Sequence, residues 1–277
     1  MDDYKEKREK YVQMFKDGNI PEPCQNCPHV EEKNWNEEIG FTFISISSQT
    51  KCNCNCFYCI QSKGNPQTKK ILNTRECYDV KPVIKEIYDK NLIKKDCTYI
   101  IGGGEPTIIK NGELEYLIYI GLISEAQIMF LTNGIIYNKY IGEALSIGKC
   151  SLKISVDAGT KEIYKKIKGV DKYNNVWRNI KKYIANSKNN PNANVQIKYI
   201  LIPEKNDNIE EIKKFIKKCK SNKIKNIEID FEYDWFGANK DNHLSDELTK
   251  TLKYLRSLQE VSFINQDDWV NKKLASL

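Results

Sequence analysis

The sequence has 277 residues, including 10 cysteines, and its 44 basic and 37 acidic side chains give a net charge of +7. The length suits one α/β barrel, the cysteine content is too low for a disulfide scaffold, and no apolar run predicts a secretory leader or a membrane span. Only four of the basic residues are arginine, which disfavours a nucleic-acid partner, so we expect a cytoplasmic protein whose clustered cysteines bind metal.

Strand-length apolar segments alternate with amphipathic helical segments along the chain. Strands are predicted at 41–48, 98–101, 127–132, 152–157, 194–203 and 226–233, and helices at 80–92, 113–123, 139–147, 161–187, 208–220 and 246–259. This alternation predicts βαβ units and a parallel sheet. The predicted domains are an N-terminal extension at 1–40, the sheet domain at 41–235, and a C-terminal loop and helix at 236–277.

The last three predicted strands alternate polar and apolar side chains. One face is polar throughout, with the members Lys153, Ser155, Asp157, Gln196, Lys198, Glu228, Asp230 and Glu232. Because helices must cover the apolar face, the polar face is expected to line an open, wet concavity. A filled barrel carries bulky apolar layers inside instead. The pattern therefore predicts a partial (β/α)6 TIM-like barrel with a polar lumen, and a doubly wound sheet is the alternative.

Four cysteines lie within eight residues directly after the first predicted strand, in the segment CNCNCFYC. Cys52, Cys56 and Cys59 form a C-x3-C-x2-C pattern, and Cys54 is an extra cysteine. Three thiolates on a short loop can bind three irons of a [4Fe–4S] cluster and leave the fourth iron open for a small molecule. A zinc site is the alternative, although four cysteines this crowded surround a tetrahedral ion poorly. We therefore predict that Cys52, Cys56 and Cys59 bind a cluster.

The cysteine pattern, with the aromatic residue Tyr58 before its last cysteine, resembles the radical S-adenosylmethionine (radical SAM) superfamily. Three further segments are similar to motifs of that family, each after a successive predicted strand: GGGEPT at 102–107, TNG at 132–134 and SVDAG at 155–159. The matches stand in the family's order and extend over roughly residues 41–235. The resemblance implies an enzyme whose cofactors are a [4Fe–4S] cluster and S-adenosylmethionine.

The resemblance also implies which residues bind S-adenosylmethionine. The glycine-rich backbone would receive the methionyl amino group, and polar groups at the strand ends would contact the ribose and the carboxylate. The implied cofactor-binding residues are Tyr58, Gly103, Gly104, Glu105, Thr132, Asn133, Ser155, Asp157 and Lys198. From the residues alone, Asn133 could belong to an ordinary turn, Asp157 could cap the following helix, and Lys198 could be a solvated strand residue.

The chemistry that the resemblance implies is reductive. One electron from the cluster would cleave the sulfur–C5′ bond of S-adenosylmethionine to methionine and a 5′-deoxyadenosyl radical, which removes a hydrogen atom from the substrate. A flavodoxin- or ferredoxin-type protein is the expected electron donor. The resemblance thus implies an oxygen-sensitive, anaerobic enzyme of the oxidoreductase or isomerase/lyase type, with no membrane partner.

A second cysteine pair lies in the N-terminal extension, where Cys24 and Cys27 form a C-x2-C pattern. It could supply half of an auxiliary iron–sulfur cluster, half of a zinc site with His29, or a redox dithiol. A metal site with four thiolate ligands would also require cysteines from other parts of the chain, and Cys54 is the candidate for an additional ligand. We treat Cys24 and Cys27 as a candidate second metal site, with a structural role as the alternative.

The predicted lumen indicates the class of substrate. Asp230 and Glu232 suit a hydroxylated or cationic small molecule, such as a sugar, nucleoside or amino acid derivative. No cysteine follows Cys219 in the sequence, which disfavours the family's peptide-modifying members with a cysteine-rich C-terminal domain. A peptide- or protein-modifying enzyme, an activase that installs a glycyl radical on a partner protein, and a non-catalytic iron–sulfur or zinc module are the alternatives.

Overall fold

The computed structural model describes residues 2–25, 40–48, 50–59, 79–109, 112–202, 204–231 and 246–263. A parallel sheet forms its centre, with the strands β1 Phe41–Ile46, β2 Ile93–Ile101, β3 Gln127–Thr132, β4 Cys150–Ser155, β5 Asn194–Leu201, β6 Asn226–Phe231 and β7 Val261–Phe263. The helices are α1 Asp2–Lys16, α2 Lys81–Asp89, α3 Glu113–Ile123, α4 Lys139–Ser146, α5 Lys161–Lys168, α6 Tyr173–Ser187, α7 Ile209–Ser221 and α8 Asp246–Arg256.

The strands follow one another across the sheet in chain order, and every neighbouring pair is parallel. A doubly wound sheet reverses its strand order at a switch point, whereas this order does not reverse. In the part of the chain that the structure describes, β1 and β7 are the two edges and do not pair with each other. The sheet is therefore an open, partial barrel, and this prediction is confirmed.

The predicted strands are all present, but the sheet is larger than predicted. β7 adds a seventh strand beside β6, with Ile227 opposite Val261. It is three residues long, which is too short for an alternating pattern to distinguish a strand from a loop. The C-terminal segment, predicted as a loop and a helix, contains in its described part a helix followed by a strand.

The predicted helix at 161–187 is two helices rather than one. Thr160 caps α5, because its side chain accepts a hydrogen bond from the backbone N–H of Ile163. Gly169 ends α5 in the left-handed conformation at φ +68°, which glycine adopts without a steric penalty. Lys172 then precedes α6 with non-helical backbone angles. Amphipathic periodicity continues across this break, which is why the pattern alone did not reveal it.

The two faces of the sheet differ as predicted. Side chains that face the helices are fully buried, among them Phe130, Ile154 and Ile197. On the opposite face of β4 and β5, polar side chains such as Lys153 and Lys198 are only partly buried. The polar lumen is thus confirmed for β4, β5 and β6. Glu232 lies outside the described residues.

Along the first three strands, β1 to β3, the lumen face of the sheet carries apolar side chains. Phe43 of β1 and Leu131 of β3 lie on that face and are exposed, at 57% and 37% of their surface. Ile100 of β2 lies between them in the strand order. The lumen therefore has an apolar half along β1–β3 and a polar half along β4–β6.

The N-terminal segment contains α1 in its described part, where the sequence analysis found no strand. Its separation from the barrel as an extension stays a prediction. None of the helices in the described ranges combines the length and the apolar character that spanning a membrane requires.

Candidate functional site

Residues 50–59, the cysteine loop, follow β1 and dock against the C-terminal end of α5. The backbone N–H of Asn55 donates to the carbonyl of Lys168 at 2.8 Å, and that of Phe57 donates to the carbonyl of Ile167 at 3.4 Å. A Cβ atom on Gly169 would lie 2.5 Å from the Asn55 carbonyl oxygen, so only glycine permits this approach. The carbonyls at the end of α5, which have no partner within the helix, thereby hold the loop at the carboxyl edge of the sheet.

Three cysteine thiols in the loop interact with one another. The backbone N–H of Cys54 donates to the sulfur of Cys52 at 3.4 Å, and the Cys54 side chain hydrogen-bonds to Cys52 and Cys56. These hydrogen bonds lower the pKa of the Cys52 thiol to about 7. The Cys54 thiol and the nearby ammonium of Lys168 also lower the pKa of Cys56, against the effect of burial. The pKa of Cys54 itself is raised by the same pairings.

The loop's chemistry fits an iron–sulfur cluster. Thiolate is the form of cysteine that binds metal, and Cys52 and Cys56 are the thiols whose deprotonation is favoured. The amide of Asn133 donates to the sulfur of Cys52 at 3.5 Å, and hydrogen bonds to sulfur help to set a cluster's reduction potential. Within the described ranges, no three Cys, His, Asp or Glu side chains already surround a common metal position. The residue types fit, and the ligand set Cys52, Cys56 and Cys59 stays a prediction.

Glu105 joins the turn after β2 to the end of β3 and to the cysteine loop. One carboxylate oxygen accepts hydrogen bonds from the backbone and hydroxyl of Thr107, at 3.0 and 2.5 Å, and from the hydroxyl of Thr132 at 2.6 Å. The other accepts the backbone N–H of Asn133 at 2.7 Å. The backbone N–H of Glu105 donates to the carbonyl of Lys51 at 2.9 Å. The side chain is 1% exposed, and its burial raises its pKa.

The glycine turn beside Glu105 has the backbone conformation that a close ligand approach needs. Gly103 and Gly104 have φ values of +73° and +57°. A Cβ atom on Gly103 would lie 2.5 Å from the Cβ atom of Ser47, which follows β1. Both glycines are half-buried, so part of their backbone faces solvent at the carboxyl edge. Their contact with S-adenosylmethionine stays a prediction.

Asn133 links β3 to the cysteine loop. Its side-chain amide donates to the side chain of Asn53 at 2.6 Å, and its side-chain oxygen accepts the backbone N–H of Ile135 at 3.0 Å. Asn133 therefore does more than form the ordinary turn that its sequence context allows, because it also contacts the loop that carries the predicted ligands.

Asp157 follows β4 and is fully buried, with a left-handed backbone at φ +56°. One carboxylate oxygen accepts the hydroxyl of Tyr58 at 2.7 Å and also the ammonium of Lys168. The other accepts the backbone N–H of Ile200 at 2.8 Å. The helix-cap alternative is wrong, because Thr160 occupies that position. The Asp157 side chain instead connects the sheet, α5 and the cysteine loop.

Lys168 belongs to this site, although the sequence alone did not predict it. Its ammonium donates to the Tyr58 hydroxyl at 2.9 Å and forms the ion pair with Asp157, while the residue is 1% exposed. The one sequence feature that points to its burial is its position one helical turn after Tyr164, on the same face of α5. A lysine at such a position is usually solvated, so the pattern gave no reason to select it.

The lumen face of β4–β6 carries two ion pairs. The Lys153 ammonium lies 2.7 Å from the Glu228 carboxylate, and the Lys198 ammonium lies 2.5 Å from the Asp230 carboxylate. Lys198 is therefore not a solvated strand residue, and its charge is engaged within the protein. The second oxygen of Glu228 is buried and has no hydrogen-bond partner among the described residues. Ser155 lies on the same face and is half-buried.

The candidate second metal site is only partly described. Cys24 ends a single 3-10 turn, Glu22–Cys24, and is half-buried. Cys27 and His29 lie outside the described residues. Cys54, the proposed additional ligand, is engaged with Cys52 and Cys56.

The fold and the site together define a class of protein, an open parallel α/β barrel with a thiol-rich loop and a glycine turn at the carboxyl edge of its strands. Residues 46–219 match the Radical SAM superfamily, and the chain belongs to this family. It is a family of enzymes whose cofactors are a [4Fe–4S] cluster and S-adenosylmethionine, so these expectations from the sequence are confirmed.

Two curated relatives indicate where the sequence similarity lies. The chain is 36% identical over 138 residues to a "Probable GTP 3',8-cyclase" of Methanococcus aeolicus, covering 48% of this chain and 42% of that protein. It is 28% identical over 153 residues to a "GTP 3',8-cyclase" of Desulforamulus reducens, covering 54% of this chain and 44% of that protein. The chain thus spans less than half the length of these relatives.

Solved structures show the same fold at low sequence identity. Streptococcus suis SuiB bound to S-adenosylmethionine superposes with a TM-score of 0.62 at 15% identity, over 86% of this chain and 53% of that one. Native anSMEcpe with bound AdoMet gives a TM-score of 0.58 at 19% identity, over 79% of this chain and 60% of that one. These likenesses establish the partial barrel.

Proposed function

We propose that this protein cleaves S-adenosylmethionine reductively and uses the resulting radical to abstract hydrogen from a small polar molecule. The cluster and S-adenosylmethionine together supply a 5′-deoxyadenosyl radical, formed with methionine when one electron cleaves the sulfur–C5′ bond. The observation that carries the proposal is the anchored cysteine loop, whose thiols lie at the carboxyl edge of an open lumen. A ligand at this edge could contact both the loop and the lumen.

The residues of this chain divide into binding and positioning groups. Cys52, Cys56 and Cys59 would hold the cluster, and the backbone of the glycine turn would receive the methionyl amino group. Glu105 and Asp157 would act mainly as positioning residues, because their carboxylate oxygens already accept hydrogen bonds from the protein. Other polar contacts would come from Asn133 and Ser155 at the lumen edge, and the ring of Tyr58 would supply an apolar contact.

The polar half of the lumen supports a substrate with hydroxyl or amino groups. Its two lysines are each paired with a carboxylate, so the four charges cancel. The unpartnered oxygen of Glu228 is a buried acceptor, and leaving such a group unsatisfied costs about 1–3 kcal/mol. A substrate hydroxyl or amine could satisfy it, while the apolar half with Phe43 and Leu131 could cover the carbon face of a sugar or a base.

Cyclisation of GTP is the second candidate function. It is favoured by the 36% identity to the Methanococcus aeolicus protein, whose name describes that reaction. A triphosphate needs excess positive charge. Lys153 and Lys198 provide none, because both are neutralised. We therefore place the small neutral or cationic substrate first. No feature of the described residues favours the peptide-modifying, activase or metal-module alternatives.

We further propose a cytoplasmic location and a flavodoxin- or ferredoxin-type electron donor. The cytoplasm keeps thiols reduced, which the cysteine loop requires. The C-x2-C pair of Cys24 and Cys27 is proposed as a candidate auxiliary site. Iron that persists after Cys52, Cys56 and Cys59 are all replaced by alanine would support the auxiliary site, and its absence would contradict it.

The direct test is S-adenosylmethionine cleavage. After anaerobic reconstitution with iron and sulfide and reduction with dithionite, the protein is incubated with S-adenosylmethionine, with and without GTP. We expect 5′-deoxyadenosine and methionine in equal amounts, and no loss of GTP. A protein that holds about four irons and releases no 5′-deoxyadenosine would contradict the proposal, whereas conversion of GTP would favour the second candidate.

A further inference from the structure

We propose that the exposed side of the cysteine loop is a docking surface for an acidic electron-donor protein. The inference rests on the proposed function, because reductive cleavage consumes one electron per event and a donor must supply it. The surface, which we call the lysine rim, is defined by four exposed lysines: Lys51, Lys165, Lys166 and Lys205.

The cysteine loop itself reaches solvent. Cys52 and Asn55 are exposed, and Asn55 lies between Cys54 and Cys56 in the chain. Because the backbone of Asn55 is bonded to the end of α5, this exposed edge has a fixed position relative to that helix. A protein that touches this edge would contact the loop close to the predicted ligands, because Cys52, Cys56 and Cys59 are at most four residues from Asn55 in the sequence.

The lysines come from three segments: the loop itself, the last turn of α5 and the segment after β5. Lys51 precedes Cys52 within the loop. Lys165 and Lys166 lie in the last turn of α5, immediately before the carbonyls that bind the loop. Lys205 approaches from the segment after β5, with its ammonium 5.9 Å from the centre of the Phe57 ring.

The rim has a net positive charge that the described residues do not neutralise. None of the four lysines forms an ion pair with another described residue. Glu162 and Glu204 are the exposed carboxylates on neighbouring positions, while Asp171 is paired with Lys161 at 3.2 Å. Four lysines against two glutamates leave a charge of +2. Elsewhere on this side of the barrel, Lys168 is buried and already paired with Asp157.

The chemistry of the rim favours an acidic protein over a nucleic acid. Lysine is a flexible point charge that attracts an opposite surface without requiring a fixed geometry, which suits a partner that binds briefly and leaves. Bidentate recognition of phosphates favours arginine, and the rim contains none. At this surface one electron leaves the reduced donor, which is oxidised by one electron, and no atom is transferred.

The test reverses rim charges and compares two sources of electrons. The holoenzyme variant K165E/K166E removes two rim lysines, and the matched control K188E/K225E makes the same charge change at the opposite end of the barrel, after α6 and before β6. Both are exposed positions. Reduced flavodoxin is the protein donor, and dithionite-reduced methyl viologen is the small donor.

We expect K165E/K166E to raise the flavodoxin concentration for half-maximal 5′-deoxyadenosine formation about tenfold at low salt, because electrostatic steering commonly contributes factors of this size. The dissociation constant of flavodoxin, measured by calorimetry, should rise in parallel, and both differences should narrow at 300 mM salt. The methyl viologen-driven rate, the iron content and the control variant should be unchanged. K205E should change the flavodoxin values in the same direction.

Two results would overturn the docking proposal. One is an unchanged response to flavodoxin in both K165E/K166E and K205E, and the other is an equal loss in K188E/K225E. Failure of the proposed function is distinguishable, since the unsubstituted protein would then form no 5′-deoxyadenosine with methyl viologen either.

Discussion

The ammonium of Lys168 and the carboxylate of Asp157 form an ion pair in the interior of the protein, with side chains that are 2% and 0% exposed. Tyr58 donates its hydroxyl to the same carboxylate oxygen. The three side chains come from α5, from the end of β4 and from the cysteine loop. They fix the position of the loop relative to the lumen, so their loss should affect both stability and cluster retention.

Replacing Lys168 by methionine should be strongly destabilising. The substitution K168M leaves the Asp157 carboxylate buried without its counter-charge, and breaking a buried pair from one side costs about 3–5 kcal/mol. The free energy of unfolding, measured in urea, should fall by this amount, and reconstituted iron should fall with it.

The double variant K168M/D157N is the control for the ion pair, because it removes both charges and should recover much of the loss. K181M replaces an exposed lysine of α6 and should change the free energy of unfolding by less than 0.5 kcal/mol or so. Equal stability of K168M and K181M would contradict the role of the pair.

The contact between Gly169 and Asn55 should be sensitive to a single added carbon. In G169A the new Cβ atom would lie 2.5 Å from the Asn55 carbonyl oxygen, at a backbone φ of +68°. Gly18 has a similar φ of +76° with nothing within 4 Å, so G18A reports the backbone strain alone. We expect G18A to cost about 1 kcal/mol and G169A to cost more.

The same pair of variants separates stability from loop position. G169A should also reduce the iron retained after reconstitution, whereas G18A should retain the full amount. Equal iron contents in the two variants, measured on folded protein, would show that the loop does not depend on this contact.

Glu105 should link stability to pH. Burial raises its pKa in the folded protein above the ordinary value of 4.5, so the folded state binds this proton more tightly than the unfolded state. Its contribution to stability is complete below pH 4.5 and is lost as the pH rises through the folded pKa. E105Q should flatten this part of the pH profile of the free energy of unfolding.

E105Q should also be destabilising near neutral pH, by about 1–3 kcal/mol, because an amide cannot accept hydrogen bonds at both of its ends. E115Q, at a half-buried position of α3, is the control and should leave the profile unchanged. A parallel displacement of the E105Q profile, with its slope intact, would contradict the assignment of the slope to Glu105.

The sequence was sufficient for the architecture and for the position of the cysteine loop. Alternating polarity on the last three predicted strands distinguishes a wet lumen from a packed barrel, and the burial of Ile154 and Ile197 agrees with it. Motifs at successive strand ends could be placed at one edge because carboxyl ends of parallel strands lie together. These inferences depend on local periodicity and on order along the chain.

The missed features depend on contacts between distant segments. Lys168 in α5 forms an ion pair with Asp157 and donates a hydrogen bond to Tyr58, which is 110 residues away in the sequence. No local sequence pattern predicts that these three residues come together. The pairing of Lys198 with Asp230 likewise requires the register of β5 and β6. Glu105 and Asp157, which the family resemblance suggested as cofactor contacts, likewise have protein partners from other segments of the chain, among them Thr132 for Glu105 and Tyr58 for Asp157.

Alanine replacement of each loop cysteine tests the central claim most directly. C52A, C56A, C59A and C54A are reconstituted anaerobically in parallel, and iron content and 5′-deoxyadenosine are measured on each. The account predicts that C54A keeps its cluster and cleaves S-adenosylmethionine, because Cys54 lies outside the C-x3-C-x2-C pattern that Cys52, Cys56 and Cys59 form. The other three variants should lose both properties. A C54A protein without iron or activity, or an active variant among the other three, would contradict it.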